Sequence, residues 1–426
     1  MKNLLYKLSI VITTMLIGIT FYSCEKEKIY PTTVETTKEF HDLMKYWYLW
    51  NDSIPDVDPA DFSNPNDLLE SMRYELRDRW SYITTQDAFK QYYDEGTYVG
   101  YGFGYGPDKD GNMRITFLFD DSDLVDEGVT RGWLIKEING GSINDDSDLN
   151  SLLGTDEIGV SNEFVLESPE GVVVTQSFAK KLVYMNTVLY RTAFNVGTKK
   201  AGYLVFKSFI EPSISELDEA FNYFNSENID ELIIDLRYNG GGQMDVAMHL
   251  VGLFIADELD QKVFLKYTHN PSRTIDNYSY KLAQESNSVR LNKVYFITSK
   301  ASASASEAII NGIDPYMDVY LVGDDTYGKP VGMYSFFSNI SDLAYVPITF
   351  KILNVNDEGE YYNGLPANSY AEDDVTKDFG DPDEASLNEV LYHIENGSFS
   401  SKKSAAEILR KSWIKYNNLT DEIGAI

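Results

Sequence analysis

The second half of the chain alternates between strand-like and helix-like segments, and this alternation restricts the fold more than any other feature. Residues 232–236 and 294–298 are short, continuous apolar runs, which are typical of strands buried on both faces. Residues 213–225 and 305–313 have the apolar spacing of helices. The alternation begins near Met185 and predicts an α/β domain with a central, partly parallel sheet. In such folds catalytic groups gather in loops beyond the strand ends, so those loops are the first candidates for a site.

Two segments of different character precede this domain. In residues 39–50 the apolar side chains follow helical spacing, and Asn66 is a candidate cap for a second helix over about residues 67–77. From Gly96 to Met185 the chain has short alternating strands with turn signals. Glycines at every second position from 100 to 106 follow the period of a strand and lack the spacing of a dinucleotide-binding loop.

The charge and the cysteine and histidine content exclude several classes of protein. The 426 residues include 36 Lys and Arg against 67 Asp and Glu, which gives a formal charge of −31. Because such a surface repels phosphate backbones, we predict no nucleic-acid partner. One cysteine excludes a disulfide framework, and the four histidines lie far apart and form no metal-binding pair. We therefore predict no metal site, and no metal or organic cofactor.

The first 24 residues have the pattern of an export signal. Lys2 and Lys7 flank or enter an apolar run over residues 8–21, and Ser23 stands before Cys24. The run is shorter than the ~20 residues that a membrane-spanning helix needs. The segment resembles a bacterial lipoprotein signal, which implies lipidation of Cys24 and a lipid anchor in the cell envelope of a Gram-negative bacterium. An ordinary signal peptide or an anchor helix is the alternative.

Two loops contain groups that could attack a carbonyl group and stabilise the resulting oxyanion. Asp-Leu-Arg-Tyr-Asn-Gly-Gly-Gly at 235–242 follows a predicted strand, and its three glycines leave backbone N–H groups open to an anion. A simple tight turn is the alternative. Ser-Ala-Ser-Ala-Ser-Glu at 302–307 opens a predicted helix, where Ser304 could meet a substrate and the N–H of Ala305 could face an oxyanion. A capping box formed by Ser304 and Glu307 explains the same motif without chemistry.

A third loop, Gly-Asp-Asp-Thr-Tyr-Gly-Lys-Pro at 323–330, holds Lys329 between a glycine and a proline. Desolvation favours the neutral amine of a lysine, which could then accept a proton from a serine. A serine hydroxyl needs such a base, and no histidine is present in these three loops. A solvated lysine is the ordinary case for any single loop lysine, but the combination with Ser304 suggests a Ser–Lys pair.

These motifs, in this order, resemble those of the S41 serine peptidases, the carboxy-terminal processing proteases with a crotonase-like core. Residues 202–209 resemble the opening strand of that core, and the loop at 235–242 resembles the family's DLRxNxGG loop. The serine motif at 302–307 and the lysine turn at 326–329 also match the family pattern. Lys329 follows Ser304 by 25 residues, which is the spacing of the family.

The resemblance assigns roles to single residues. It implies that Ser304 is the nucleophile and Lys329 the general base. It also implies that the N–H groups of Ala305 and Gly241 are the oxyanion donors, with Gly242 as the less favoured second donor. No cofactor is implied, and the partners are protein or peptide substrates.

The β-rich middle resembles the PDZ domain that many members of the family have. Residues 131–140 resemble the stretch usually written GDxIxxING, and the glycine-rich start would form the loop that binds a substrate carboxyl terminus. The implied substrate-binding residues are Gly102, Phe103 and Gly104. Two positions depart from the pattern: Trp133 replaces an aspartate, and Met333 replaces a glutamine that orients the lysine in several members.

The predicted fold is α/β, with a crotonase-like (ClpP/crotonase) catalytic core, an inserted or preceding β-rich PDZ domain and a small N-terminal helical domain. The predicted boundaries are a signal peptide at 1–23, a tether at 24–38, a helical domain at 39–95, a PDZ-like domain at 96–185, a catalytic domain at 186–395 and a helical tail at 396–426. The predicted function is that of a serine endopeptidase of the cell envelope that cleaves exported or unfolded proteins. The alternatives are an inactive peptide-binding lipoprotein, and a hydratase or acyl-CoA enzyme on the same core.

Overall fold

A computed structural model describes residues 33–143 and 149–400, together with Leu419 and Ile426. The predicted signal peptide, its lipidation site Cys24 and most of the predicted helical tail lie outside the described residues. Within the described parts of the chain, no helix is both long enough and apolar enough to cross a membrane.

The N-terminal region is helical, as predicted. Its elements are α1 (Thr33–Trp47), α2 (Pro65–Met72), the short strand β1 (Tyr82–Thr85) and α3 (Gln86–Tyr93). The prediction that Asn66 caps the second helix is wrong. Asn64 is the cap, since its side chain accepts a hydrogen bond from the N–H of Asp67 at 2.9 Å and Pro65 occupies the first helical position. Proline at that position fixes where the helix begins, which leaves Asn66 inside the first turn.

The next region is a β-rich segment, residues 97–184. Its elements are β2 (Thr97–Gly100), β3 (Phe103–Pro107), β4 (Met113–Leu118), α4 (Asp123–Asp126), β5 (Leu134–Ile138), β6 (Gly141–Ser142), α5 (Leu149–Leu153), β7 (Ser161–Glu167), β8 (Val173–Ala179) and β9 (Lys181–Tyr184). An antiparallel sheet runs in the order β3-β4-β5-β7-β8, and β2 pairs with β9. Phe103, Ile135 and Phe164 are fully buried between these elements and form its own apolar core.

The remaining elements form the α/β domain. They are β10 (Val188–Val196), β11 (Lys199–Phe206), α6 (Ser213–Glu227), β12 (Glu231–Asp235), α7 (Met244–Gly252), β13 (Val263–His269), β14 (Tyr278–Lys281), β15 (Lys293–Thr298), α8 (Ala305–Ile313), β16 (Asp318–Gly323), β17 (Val331–Met333), β18 (Phe336–Phe337), β19 (Leu343–Val346), β20 (Ile348–Leu353), β21 (Ser369–Tyr370) and α9 (Ala385–Asn396). Helix α8 has the bounds that the apolar spacing predicts, and the predicted elements at 213–225, 232–236 and 294–298 differ from α6, β12 and β15 by one or two residues at their ends.

The main sheet of this domain runs in the order β10-β11-β12-β15-β16-β21 and is parallel from β11 to β21. Leu232 and Ile234 face the cluster formed with α6, α7 and α8, and Ile233 faces the cluster formed with α9. Strand β12 is therefore covered on both faces, which explains its continuous apolar run. The predicted α/β domain with a partly parallel sheet is confirmed.

Two smaller sheets connect the α/β domain to the N-terminal region. Strands β14, β13, β20 and β17 form an antiparallel sheet, and β1 joins β19 and β18. In the β1–β19 pair Tyr82 lies opposite Val346. Strand β1 of the N-terminal region is thus part of a sheet whose other two strands, β18 and β19, belong to the α/β domain.

Candidate active site

The three loops singled out in the sequence meet at one edge of the main sheet. Strands β12, β15 and β16 are parallel neighbours, so their carboxyl ends lie side by side. The loop at 236–243 follows β12, the turn at 299–304 follows β15, and the loop at 324–330 follows β16. This edge is where α/β folds place their functional groups.

Ser304 stands at the start of α8 with an unusual backbone conformation. Its φ is 56° and its ψ is −113°, and such strain at a non-glycine residue persists only where its surroundings hold it. The Ser302 hydroxyl donates to the carbonyl of Leu236 at 2.8 Å, and the Ser306 hydroxyl donates to the carbonyl of Asn239 at 3.0 Å. The serine turn is thus tied to the glycine loop on both sides of Ser304.

Glu307 connects the serine turn to the lysine loop. One of its oxygens, Oε2, accepts hydrogen bonds from the N–H of Ser304 at 3.1 Å and from the N–H of Lys329 at 2.7 Å. The other, Oε1, accepts from the N–H of Gly328 at 2.6 Å and from the Thr326 hydroxyl at 2.5 Å. The Glu307 side chain is completely buried, and this burial raises the pKa of its carboxyl group against the opposing effect of the four donors.

This contact makes the capping-box interpretation of the serine motif compatible with its interpretation as part of a candidate active site. Glu307 accepts from the backbone of Ser304 as the glutamate of a capping box does. The same side chain holds the lysine loop, so the cap and the candidate site are one structure. The sequence indicated Glu307 only as a helix-capping residue; its spacing of three from Ser304 was the available signal.

Ser304 and Lys329 line the same cavity, which has a volume of about 210 Å³. Lys329 is only 4% exposed, so it is not the solvated loop lysine of the alternative interpretation. Gly240 and Gly242 line the cavity as well. The structure therefore brings the serine, the lysine and the glycine loop to one place.

The two glycines predicted as oxyanion donors have different surroundings. The N–H of Gly241 donates to the side-chain oxygen of Asn239 at 2.9 Å, whereas Gly242 lines the cavity. Both have positive φ, 111° at Gly241 and 136° at Gly242. A Cβ at Gly241 would lie 2.7 Å from the Cβ of Ser304, so only glycine fits against the serine. Ala305 is the first residue of α8, where an N–H has no intrahelical acceptor.

The rest of the cavity wall is largely apolar and aromatic. Tyr267 and Phe350 stack with their ring centroids 3.9 Å apart. Met333 also lines the wall. The apolar and aromatic lining residues are Tyr82, Phe89, Tyr93, Met244, Tyr267, Met333, Val346, Phe350 and Ile352. They come from the N-terminal region and from the α/β domain.

A cluster of charges next to the glycine loop was not predicted from the sequence. Arg237, which is 1% exposed, makes hydrogen bonds to Asp235 and Glu384, and one to Asp373 at 2.8 Å. Arg131 of the β-rich segment also reaches Asp373, at 2.6 Å. Burial opposes ionisation of Asp373, but the two guanidinium groups outweigh it and hold the pKa of this carboxyl well below its usual range.

The predicted peptide-binding loop, Gly102 to Gly104, is in contact with another part of the chain. The N–H of Gly102 donates to the backbone carbonyl oxygen of Ile426 at 2.8 Å, and the N–H of Ile426 donates to the carbonyl of Phe103 at 2.9 Å.

Comparison with protein-family models gives two matches. Residues 200–357 match the model of peptidase family S41, and residues 38–82 match the model of the peptidase S41 N-terminal domain. The first match contains Ser304, Lys329 and the glycine loop; the second contains α2 and the end of α1.

Curated relatives have low identity to the chain. A protein of Staphylococcus haemolyticus named "Probable CtpA-like serine protease" is 24% identical over 269 residues, which is 62% of this chain and 51% of that protein. A relative of the same name from Staphylococcus saprophyticus is 24% identical over 372 residues, 82% of this chain and 72% of that protein. The chain spans about half of the length of the first of these relatives.

Two solved structures share the fold. A crystal structure from Bacteroides fragilis described as that of an S41 protease has a TM-score of 0.69 at 21% identity, over 84% of this chain and 97% of that one. The photosystem II D1 C-terminal processing protease has a TM-score of 0.50 at 16% identity, over 80% of this chain and 94% of that one.

Proposed function

Since the chain belongs to peptidase family S41, we propose that it is a serine endopeptidase in which Ser304 is the nucleophile and Lys329 is the general base. One observation carries the proposal: both side chains line one cavity, and a single oxygen of buried Glu307 accepts from the backbone N–H of both residues. A serine with an adjacent base is the arrangement that acyl transfer requires. The crotonase-like description of the core is part of this proposal.

The proposed reaction proceeds in two halves. The neutral amine of Lys329 removes the hydroxyl proton of Ser304 while Oγ bonds to the scissile carbonyl carbon. The C–N bond then breaks, and the Lys329 ammonium gives its proton to the leaving amine. In the second half Lys329 removes a proton from water, the resulting hydroxide cleaves the acyl ester, and the proton returns to Ser304 as the carboxylic product leaves. No cofactor takes part in these steps.

Backbone N–H groups would stabilise the oxyanion of each tetrahedral intermediate. We propose Ala305 as one donor, because it is the first residue of α8. We propose Gly242 rather than Gly241 as the second, because the N–H of Gly241 already donates to Asn239. The position of Gly242 in the cavity wall supports this choice.

The proposed mode of substrate binding uses the aromatic wall of the cavity and the β-rich segment. We propose that the aromatic wall accepts an apolar side chain of an extended, unfolded protein. We propose further that the β-rich segment is a PDZ domain and that Gly102, Phe103 and Gly104 receive the carboxyl-terminal end of the substrate as an added strand. The resemblance of the stretch at 131–140 to the PDZ pattern supports this assignment.

The proposed cellular location rests on the sequence alone. We propose that the chain is exported and anchored by lipid at Cys24, because a basic start, a short apolar run and a cysteine after Ser23 form the pattern of a lipoprotein signal. Substrates would then be proteins of the cell envelope. A palmitate-labelling experiment on the full chain beside Cys24→Ala tests the anchor, with label lost in the variant as the expected result.

Cleavage of an unfolded protein by residues 25–426 tests the peptidase. Ser304→Ala and Lys329→Ala should each lower the rate by at least about a thousandfold, as for other nucleophile and base removals. Lys351→Ala is the control, because the ammonium group of this partly exposed lysine pairs with the surface carboxylate of Glu360. Thermal unfolding of each variant shows that the fold is intact. Full activity in Lys329→Ala would exclude the lysine as the base.

An inactive peptide receptor is the second candidate, and Met333 favours it. This residue stands in the cavity wall where a glutamine would orient the lysine. The receptor function predicts saturable binding of peptides without cleavage, and no effect of Ser304→Ala on that binding. The cleavage experiment above separates the two candidates.

A further inference from the structure

The wall of the Ser304 cavity contains a polar side chain that the proposed reaction does not use. Gln243 directly follows the glycine loop and lines the cavity together with Ser304 and Lys329. Most of the remaining wall consists of aromatic and aliphatic side chains, such as Tyr267 and Phe350. A primary amide has two N–H donors and a carbonyl oxygen acceptor. In such a wall it is a candidate for hydrogen bonds to a molecule that occupies the cavity.

The backbone of Gln243 is fixed, whereas its side chain is not engaged. Its N–H donates to the carbonyl oxygen of Phe209 at 2.7 Å, and its carbonyl oxygen accepts from the N–H of Ala247 in α7 at 3.2 Å. Gln243 occupies the capping position of α7, but its side chain does not cap the helix. Among the residues that the structure describes, none is a hydrogen-bond partner of the side-chain amide. The donors and the acceptor of this amide are therefore free to bind a molecule in the cavity.

Two other glutamines of the chain use their amides to hold the fold together. The amide nitrogen of Gln86 donates to the carbonyl oxygen of Ser338 at 2.8 Å, and that of Gln284 donates to the carbonyl oxygen of Ile255 at 2.9 Å. An amide that loses water without gaining a partner weakens the state in which it does so. When a ligand displaces the water of the cavity, Gln243 therefore needs a partner on that ligand.

An extended peptide brings such partners with every residue. Its main-chain N–H and C=O groups lose water when they enter an apolar cavity, and groups left unpaired there weaken binding. The valine, isoleucine and methionine side chains of the wall offer no hydrogen-bond donor. The amide of Gln243 has a donor and an acceptor side by side, as a peptide group has. Its chemistry therefore matches the main chain of a substrate rather than one particular side chain.

We propose that Gln243 is a substrate-binding residue whose amide pairs with the main chain of the bound peptide beside the scissile bond. Its Nε2 donates to a main-chain carbonyl oxygen, and its Oε1 accepts from a main-chain N–H. The inference rests on the proposed function, which places the scissile bond at Ser304. Because any sequence offers these main-chain groups, the contact aligns the peptide next to Gly242 without selecting its side chains.

Peptides with single ester bonds test this pairing, because an ester replaces one main-chain N–H by an oxygen that cannot donate. The probe is a short fluorescent peptide with leucine at its centre and alanine elsewhere, and each analogue has one ester beside the leucine. Anisotropy gives the affinities for Ser304→Ala alone, with Gln243→Met and with Gln176→Met. Gln176→Met is the matched control, because this exposed glutamine lies in β8 of the β-rich segment.

We expect one ester to weaken binding to Ser304→Ala by at least about fivefold, and by less than about twofold once Gln243→Met is added. The Gln176→Met control should keep the full effect. Ester effects of the same size with and without Gln243 would overturn the proposal, and so would the absence of saturable binding to Ser304→Ala. Gln243→Ser is a second variant, which removes the amide and supplies a residue favoured at the start of a helix. It should lose the ester effect as well, and thermal unfolding shows that each variant is folded.

Cleavage of the all-amide peptide by the same proteins with Ser304 restored separates this inference from the proposed function. Cleavage by the parent, together with ester effects that do not depend on Gln243, removes the inference and keeps the peptidase. Ester effects that depend on Gln243, without any cleavage by the parent, keep the contact with the main chain and remove the peptidase.

Discussion

Glu307 contacts both loops that hold the proposed nucleophile and base. It accepts four hydrogen bonds, two of them from the backbone N–H groups of Ser304 and Lys329. It is a positioning residue, since its contacts are with the backbone of the two residues. Gly241 also affects the position of Ser304, because its lack of a side chain leaves room for the Ser304 side chain.

We expect Glu307→Gln to lower kcat by at least about tenfold with a smaller change in KM. An amide nitrogen cannot accept a hydrogen bond, so at least one pair of donors loses its acceptor, and bonds to charged acceptors contribute about 1.5–3 kcal/mol each. The measurement is the kcat and KM of peptide cleavage. Glu389→Gln is the matched control, because Glu389 is also largely buried and bonds to Ser369 away from the cavity. An unchanged kcat would show that the bridge does not position the pair.

We expect Gly241→Ala to abolish most of the activity. The new Cβ would lie 2.7 Å from the Cβ of Ser304, and the φ of 111° is unfavourable for alanine. Gly128→Ala is the matched control: Gly128 also has a positive φ, 75°, but a Cβ there meets no atom within 4 Å. Both variants should lose about 1–3 kcal/mol of unfolding free energy. Equal activity of the two would mean that the approach of Gly241 to Ser304 has no role.

At the scale of single residues, the sequence predicts the proposed reactive residues but not the residues that hold them in position. Ser304 and Lys329 lie in ordered motifs with a fixed spacing, so one sequence is enough to propose them. The bridging role of Glu307 depends on a contact with a loop about 20 residues away, and the engagement of the Gly241 N–H depends on the rotamer of Asn239. Such contacts exist only after the sheet has aligned the loops.

Among the elements, the β-rich segment and the glycine loop share one electrostatic contact. Arg131 precedes β5, Arg237 follows β12, and Asp373 bonds to both guanidinium groups. Because the pKa of Asp373 is lowered in the folded protein, its contribution to stability is present above the usual value of 3.8 and is lost as the pH falls through the folded pKa.

We expect Asp373→Asn to lower the unfolding free energy at pH 7 by about 1 kcal/mol. The Asp373 side chain is 33% exposed, so solvent screening keeps the loss below the several kcal/mol of a fully buried pair. The difference between parent and variant should narrow between pH 5 and pH 3, because the Asp373 carboxylate of the unfolded parent takes up a proton there while that of the folded parent stays ionised. Urea unfolding at pH 3, 5 and 7 measures the difference in unfolding free energy between parent and variant, with Asp374→Asn as the control. A difference that stays constant over this range would contradict the assigned ionisation.

The element boundaries show where local sequence signals suffice. Helix α8 has the predicted bounds because its apolar residues face one cluster throughout. Helix α1 already includes residues 33–38, ahead of the predicted start near residue 39, and it ends at Trp47 rather than 50. Residues 33–38 are mostly polar, so the apolar period does not extend over them. The cap at Asn64 could have been predicted from Pro65, whereas the sheet that joins β1 to β19 pairs residues more than 250 positions apart and leaves no local signal.

For the whole molecule, the net charge should affect which substrates reach the cavity. The formal charge is −31, and an acidic surface repels acidic chains and attracts basic ones. We expect kcat/KM for a peptide with basic flanking residues to exceed that for its acidic counterpart by about tenfold at 10 mM salt. The ratio should fall toward one at 0.5 M salt, where the Debye length is only about 4 Å. A ratio that does not depend on salt would exclude a role for the surface charge.

The cavity is lined by residues from distant parts of the chain. Its wall combines Tyr82 of β1, Met244 of α7 and Phe350 of β20 with the two proposed reactive residues. The sequence predicts the α/β domain and the order of the segments, but the wall and the contact of Ile426 with Phe103 join residues that are far apart along the chain. They could be found only from the folded molecule.

Covalent labelling by a fluorophosphonate tests the central claim most directly, because the reagent reacts with a serine only where a base activates it. Intact mass spectrometry of residues 25–426 followed by peptide mapping locates the adduct. We predict one adduct at Ser304, none in Ser304→Ala, and labelling at least about a hundredfold slower in Lys329→Ala. An adduct at another serine, or equal labelling rates with and without Lys329, would contradict a Ser304–Lys329 pair.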